Sequence, residues 1–120
     1  MAQTLQNMLT EGIKDLTELE NLGGALAQNV KTSQIRKFFG ALKQIQADFE
    51  KQKTDILLLE PKLAYAVGRA KGDARTGLEK LYKSIGPLIK NVGEDPKKFK
   101  RLVQILEGVV AYHKANGGQE

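Results

Sequence analysis

The sequence contains no cysteine and no tryptophan, and only three of its 120 residues are proline. The absence of cysteine excludes disulfides, thiolate zinc sites and cysteine nucleophiles, and it favours a reducing compartment such as the cytoplasm. No apolar run approaches the roughly 18 residues that a membrane-spanning helix needs. The sequence does not begin with the basic residues and apolar segment that are typical of a secretory signal. We therefore expect a cytoplasmic protein with no membrane partner.

Patterns typical of catalysis and metal binding are scarce as well. His113 is the sole histidine, and its place near the end of a helix favours a structural role over a catalytic one. Glu11, Asp15 and Glu18 have the spacing of one helical face, but no loop adds the further oxygen ligands that a hard cation needs. We expect them to form a solvated acidic face or a docking surface for a basic neighbour. No glycine-rich phosphate loop ends in Gly-Lys-Ser/Thr. The sequence thus predicts no enzyme, no cofactor and no metal site.

Composition and charge indicate a folded basic protein. With 41% apolar and 28% charged residues, the chain has the composition of a globular domain, and its length predicts a single helical domain over residues 1–120. Residues 1–30 hold one cation and four carboxylates, for a net charge of −3, whereas residues 31–120 hold eighteen cations and ten carboxylates, for +8. This asymmetry favours an anionic partner.

Apolar residues recur every three to four positions along most of the chain, and no hairpin turn separates alternating apolar runs. The pattern predicts an all-α protein, a compact bundle of about five helices. The helices are expected to start near residues 11, 32, 56 or 61, 73 and 96, because Pro61 either begins a helix or kinks a longer one. The clearest helix carries one apolar stripe: Ile35, Phe38, Leu42, Ile45 and Phe49.

Glycine, proline and capping residues mark the expected helix ends. Asp95-Pro96 predicts a start, since a capping carboxylate precedes a proline at the first helical position, and residues 116–118, Asn-Gly-Gly, predict a stop. The Gly23-Gly24 pair costs about 1 kcal/mol per glycine relative to alanine and predicts a kink or break. Residues 1–9 are polar and lack an obvious cap, so we expect them to fray or to form a disordered arm.

Basic residues recur at helical spacing on the second predicted helix. Arg36 and Lys43 share a face with Gly40 between them, beside the apolar stripe, whereas Lys37 is placed opposite the core. The small residue between two cations leaves a shallow strip that a phosphate backbone or another helix can approach. A solvated helix face is the alternative interpretation.

The next predicted helix repeats the pattern with an aromatic residue. Lys62, Tyr65 and Arg69 lie at i, i+3 and i+7, so a ring stands between two cations, a mixture suited to a sugar-phosphate strand. A further basic cluster opens the last helix, where its repulsion with the helix dipole favours an anionic partner. This cluster consists of Lys97, Lys98, Lys100 and Arg101.

Three stretches, in this order, resemble signature motifs of one known family. They are TSQIRKF at 32–38, PKLAYAVGR at 61–69 and EGVVAYHK at 107–114. On these motifs, which lie within a span of 84 of the 120 residues from Lys31 to Lys114, the chain resembles the small subunit of type III-A CRISPR effector complexes, the Csm complex. Within residues 1–30 we place no motif of that family.

The resemblance implies a non-catalytic helical subunit, present in several copies, in an antiviral ribonucleoprotein. Such subunits stack along the complex, associate with its other subunits and contact the CRISPR RNA and the target RNA through basic side chains. Because base pairing selects the sequence, the contacts are expected at phosphate and sugar. The expected RNA-binding residues, with Lys43 added from helical geometry alone, are Arg36, Lys37, Lys43, Lys62 and Arg69. Lys114 is a further candidate contact.

Two other function classes stay open at this stage. A helical DNA-binding regulator is compatible with the basic charge, but it needs a recognition helix whose side chains reach base edges. A protein-only adaptor would use the same basic surface to meet acidic partner subunits. Binding to unrelated RNA duplexes over a salt series distinguishes the three classes.

Overall fold

The structure, a computed structural model, describes residues 3–118. Over this range the chain is all-helical, as predicted, with no strand, and it forms seven helices where about five were expected. The helices are α1 (Leu5–Glu11), α2 (Thr17–Ala27), α3 (Thr32–Ala47), α4 (Phe49–Gln52), α5 (Asp55–Arg69), α6 (Gly72–Val92) and α7 (Pro96–Ala115). No helix in this range is both long and apolar enough to cross a membrane.

The N-terminal segment differs from the expected frayed arm. Thr4 caps α1, because its hydroxyl oxygen accepts a hydrogen bond from the backbone N–H of Asn7 at 3.1 Å. Met8 and Leu9 are fully buried in the core. The short helix packs on α7 and α6. Two buried apolar side chains thus hold a segment whose length alone would not sustain a helix. Residues 1 and 2 of the expected arm lie outside the described residues.

The glycine pair of α2 does not break the helix. α2 continues through Gly23 and Gly24 and forms the most extensive helix–helix contact of the fold with α7. A Cβ atom on Gly23 would lie 2.6 Å from the Cβ of Tyr112 and 2.8 Å from the carbonyl oxygen of Val109. Gly23 is therefore a close-approach site between two helices, and the break expected there falls instead at Gly12, where φ is +93° and α1 ends.

The long apolar stripe predicted for the second helix is divided between two helices. α3 ends at Ala47 with Asp48 as its C-cap, and Phe49 begins the single turn of α4. The Phe49 ring packs against Phe99 of α7 with ring centroids 5.8 Å apart. Ile35, Leu42 and Ile45 are buried as expected.

Two of the three prolines lie in the interior of helices. Pro61 is within α5 and Pro87 within α6, and both rings are exposed. These helices pack on each other extensively. The Tyr82 hydroxyl of α6 donates a hydrogen bond to the Glu60 carboxylate of α5. Because the partner is a carboxylate, this hydrogen bond raises the pKa of Tyr82.

The ends of α7 agree with the sequence prediction. Asp95 caps the helix, since its Oδ1 accepts hydrogen bonds from the backbone N–H groups of Lys97 at 2.9 Å and Lys98 at 3.3 Å. Pro96 occupies the first helical position, and the helix ends at Ala115, directly before the Asn-Gly-Gly stretch. α7 contacts α1, α2, α3 and α6 and so forms the centre of the fold.

Candidate nucleic-acid interface

A groove of about 440 Å³ opens between α3 and α5, with its floor on α6. α3 and α5 contact each other over a short stretch only, whereas α5 packs closely on α6, and this leaves the space between the first two helices open. We call this feature the α3/α5 groove. The lining residues that matter here are Lys37, Phe38, Ala41, Lys62, Tyr65 and Arg69.

Three of the five predicted RNA-binding residues line this groove. Lys37 comes from α3, and Lys62 and Arg69 come from α5. All three side chains are exposed. None of them forms an ion pair with a carboxylate of residues 3–118, where the ion pairs are Lys53–Glu50, Lys53–Glu94 and Lys83–Glu79. The groove thus gathers three cations from two helices, and no carboxylate in this range neutralises them directly.

The predicted alternation of cations and an aromatic ring on α5 is confirmed. Lys62, Tyr65 and Arg69 all line the groove, so the spacing places them on one face. The Tyr65 side chain is 66% exposed. The Arg69 guanidinium carbon lies 5.7 Å from the centroid of the Tyr65 ring, within the range of a cation–π contact.

The other two predicted residues lie on α3 outside the groove. Arg36 and Lys43 are exposed, and the Nζ atom of Lys43 donates a hydrogen bond to Oε1 of Gln46 at 3.1 Å. Gly40 between them has open space around it. The orientation expected for Lys37 was wrong. It lines the groove rather than lying opposite the core, because α5 packs beside this side of α3.

The basic cluster at the start of α7 contains one residue with a different role. The Nη1 atom of Arg101 donates hydrogen bonds to the carbonyl oxygen of Leu9 at 3.2 Å and to that of Thr10. These carbonyls belong to the last turn of α1, so Arg101 stabilises a helix C-terminus. Lys98 donates a hydrogen bond to Asn91 at 3.0 Å, and Lys97 and Lys100 are exposed.

The acidic residues near the N-terminus do not share one helical face. Glu11 ends α1, Asp15 lies in the loop that follows, and Glu18 lies in the first turn of α2. Asp15 Oδ1 accepts a hydrogen bond from the backbone N–H of Thr17 at 2.7 Å, and hydrogen bonding to Thr17 lowers the pKa of this carboxyl. Among residues 3–118 there is no group of three or more His, Asp or Glu side chains placed to hold a metal ion.

His113 is buried between helices and has a structural partner, as expected. Its ring is inaccessible to solvent, and Nε2 lies 2.5 Å from the carbonyl oxygen of Val30. Nδ1 has no hydrogen-bond partner in the described part of the chain. A substrate in solvent has no access to this imidazole.

The apolar part of the groove was not recognised in the sequence. Phe38, part of the predicted apolar stripe, packs against the core but is only half-buried, and it also lines the groove. Ala41 on α3 and Ala66 on α5 leave the space that larger side chains would fill. The signal in the sequence was small residues on two helices that both carry exposed cations.

The sequence was compared with family models, curated proteins and solved structures. The sequence model of the family described as Csm2 Type III-A matches residues 10–119. Neither the curated proteins nor the solved structures contain a significant match.

Proposed function

Because the chain belongs to the Csm2 Type III-A family and is therefore a small subunit of a type III-A Csm effector complex, we propose that it holds RNA without catalysis. In this proposal the α3/α5 groove contacts the CRISPR RNA and its paired target RNA, and the cleavage steps of antiviral defence belong to other subunits. The site of action is the cytoplasm, where the complex meets its target.

The observation that carries the proposal is the convergence of Lys37, Lys62 and Arg69 on one groove. Their side chains are exposed and come from two helices, so the positive charge is distributed along the groove. Each cation that approaches a phosphate displaces a condensed counterion, which makes binding favourable and dependent on salt. Arg36 and Lys43 extend the basic surface along the exposed side of α3.

These cations suit contacts with phosphate and sugar. In a double-stranded RNA the deep major groove hides the base edges from side chains, so recognition falls on the backbone and the shape of the helix. Lysine and arginine on a surface groove supply contacts of this kind at any sequence. Selection of the target is left to base pairing with the guide RNA.

Self-association is the second part of the proposal. The net charge of −3 on residues 1–30 and of +8 on residues 31–120 supports a head-to-tail contact between copies. Such a contact does not close on itself and so builds a stack. Sedimentation of the full chain over a salt series tests it: the association weakens as salt rises, whereas an apolar, salt-independent contact between copies contradicts it.

The RNA contact is tested by fluorescence anisotropy of a labelled RNA titrated with the full chain at several salt concentrations. We expect Lys62→Ala and Arg69→Ala to weaken binding, and each to reduce the slope of log affinity against log salt by about 0.7–0.9. Lys80→Ala is the matched control, because Lys80 is an exposed cation on α6 that does not line the groove.

The outcomes separate the function classes. If Lys62→Ala and Arg69→Ala lower the affinity for RNA and Lys80→Ala changes it little, the result supports the groove as the RNA contact. Equal losses at all three positions indicate a diffuse charge effect and contradict it. RNA binding that is absent, or indifferent to salt, supports a protein-only adaptor, and binding to a few base-specific DNA sites supports a regulator.

A further inference from the structure

The α3/α5 groove contains more than the cations that a phosphate backbone requires. Its lining includes the half-buried ring of Phe38 and the side chains of Ala41 and Ala66. Below these lie the buried side chains of Leu63 and Leu81. A continuous RNA duplex keeps its base faces stacked inside the helix, so it has nothing apolar to place against this surface.

Tyr65 is the most exposed of the exposed large apolar side chains in the described residues. It stands between Lys62 and Arg69 on one face of α5, and with a rise of about 1.5 Å per residue the two cations are separated by about 10.5 Å along the helix axis. The Arg69 guanidinium carbon lies 5.7 Å from the ring centroid, and the Tyr65 side chain is nevertheless largely exposed. The order along the helix is cation, aromatic ring, cation.

An aromatic ring between two cations suits the binding of single-stranded nucleic acid. Proteins that bind single strands combine a positively charged groove along the backbone with aromatic side chains on which bases stack. The volume of about 440 Å³ falls within the roughly 300–1,000 Å³ of sites for small organic groups.

We propose that the α3/α5 groove binds an unpaired RNA nucleotide, whose base stacks on Tyr65 while the flanking phosphates contact Lys37, Lys62 and Arg69. The inference rests on the proposed RNA-binding function and deepens it, because it adds an unpaired nucleotide of the bound RNA to the backbone contacts that the groove makes with paired RNA. Stacking accepts any base, so the contact adds affinity without adding sequence preference.

Charge complementarity favours a polyanion over an apolar protein helix as the occupant. Three cations border the groove, and among residues 3–118 no ion pair neutralises them. An acidic protein segment would match the charge, and this alternative is an outcome of the test below.

The experiment compares three labelled probes of equal length against the full chain by fluorescence anisotropy. The probes are a single-stranded oligouridine, the same strand with abasic sites, and a blunt RNA duplex. We expect the single strand to bind more tightly than the other two. Tyr65→Ala is expected to weaken single-strand binding roughly 5- to 150-fold, from the measured range for loss of one stacked base, and to leave duplex and abasic binding unchanged.

Two control variants separate stacking from other effects. Tyr65→Phe keeps the ring and is expected to bind like the unaltered protein. Leu58→Ala removes another exposed apolar side chain of α5, 51% exposed and outside the groove, and is expected to change nothing. Circular dichroism of Tyr65→Ala checks that the helices persist.

The possible results decide between the two proposals. If Lys62→Ala and Arg69→Ala weaken binding but Tyr65→Ala does not, the groove binds a backbone only and the stacking inference is wrong. If the duplex binds as tightly as the single strand and Tyr65→Ala affects both equally, the inference is wrong as well. If neither the cation variants nor Tyr65→Ala affects any probe, but they alter self-association or assembly with other subunits, the occupant is a protein and both proposals fail.

Discussion

The Nε2 atom of His113, near the end of α7, lies 2.5 Å from the backbone carbonyl oxygen of Val30, in the connection between α2 and α3. The imidazole is buried. A second contact connects the same two parts of the chain: the Thr32 hydroxyl donates a hydrogen bond to the carbonyl oxygen of Gly118 at 3.4 Å. The sole histidine thus ties the end of the last helix to the start of α3. Histidine often acts as an acid or base in enzymes, but His113 here has a structural role.

We expect His113→Ala to destabilise the protein by about 2–4 kcal/mol, because it opens a cavity and leaves the Val30 carbonyl without its partner. Urea unfolding followed by circular dichroism measures the change. Glu107→Ala, at an exposed position two turns earlier on α7, is the control and is expected to change stability by less than about 0.5 kcal/mol. Equal effects at the two positions would contradict the structural role of His113.

From the contact between α2 and α7 we predict opposite changes in stability for alanine substitutions at two adjacent glycines. Gly23→Ala places a Cβ atom 2.8 Å from the backbone oxygen of Val109 and 2.9 Å from the backbone nitrogen of His113. α2 and α7 must move apart, and we expect the free energy of unfolding to fall by about 1–3 kcal/mol.

Gly24→Ala is the matched control for this substitution. The nearest atoms to its new Cβ belong to the Asn116 side chain at 3.7 Å, an ordinary van der Waals distance. Since alanine is the better helix former, we expect a gain of up to about 1 kcal/mol. Thermal unfolding of both variants measures the difference, and a stabilising Gly23→Ala would show that the helices are not in close contact there.

Arg101 is expected to control the local stability of α1. Arg101→Ala removes the hydrogen bonds to Leu9 and Thr10, and a loss of about 1.4 kcal/mol corresponds to roughly tenfold faster amide exchange. Hydrogen–deuterium exchange over residues 5–11 measures this effect. Lys97→Ala, an exposed cation on the same helix, is expected to leave exchange in α1 unchanged, and equal acceleration by both variants would contradict the assignment.

The hydrogen bond between Tyr82 and Glu60 predicts a change of stability with pH. Because the pKa of Tyr82 is raised by the folded structure, its stabilising contribution is complete below pH ~10 and is lost as pH rises through the raised pKa. Tyr82→Phe lacks the hydroxyl, so we expect a lower unfolding temperature near neutral pH and a smaller decline above pH ~10. A decline as steep as that of the unaltered protein would contradict this origin of the pH dependence.

The sequence predicted those features that local chemistry determines. The Asp95-Pro96 start, the stop after Ala115 and the shared face of Lys62, Tyr65 and Arg69 were all predicted correctly, because caps and helical periodicity depend on neighbouring residues. The helical class followed from the same periodicity.

The features that were missed depend on contacts between distant parts of the chain. Gly23 was interpreted as a break because its helix propensity is low, and only the position of α7 shows that a glycine is required there. The burial of Met8 and Leu9 by α6 and α7 has no local signal. Lys37 was misplaced because the groove exists only once α5 has packed beside α3.

The most direct test of the central claim is the affinity for target RNA of a reconstituted type III-A effector complex that carries the subunit with Lys37→Ala, Lys62→Ala and Arg69→Ala together. The control complex carries Lys80→Ala, Lys90→Ala and Lys97→Ala, which remove the same charge from exposed positions outside the groove. We predict that both complexes assemble on guide RNA and that the groove variant alone binds target RNA at least about tenfold more weakly, with a shallower salt dependence. Equal target affinity of the two complexes, or failure of the groove variant to assemble, would contradict the account.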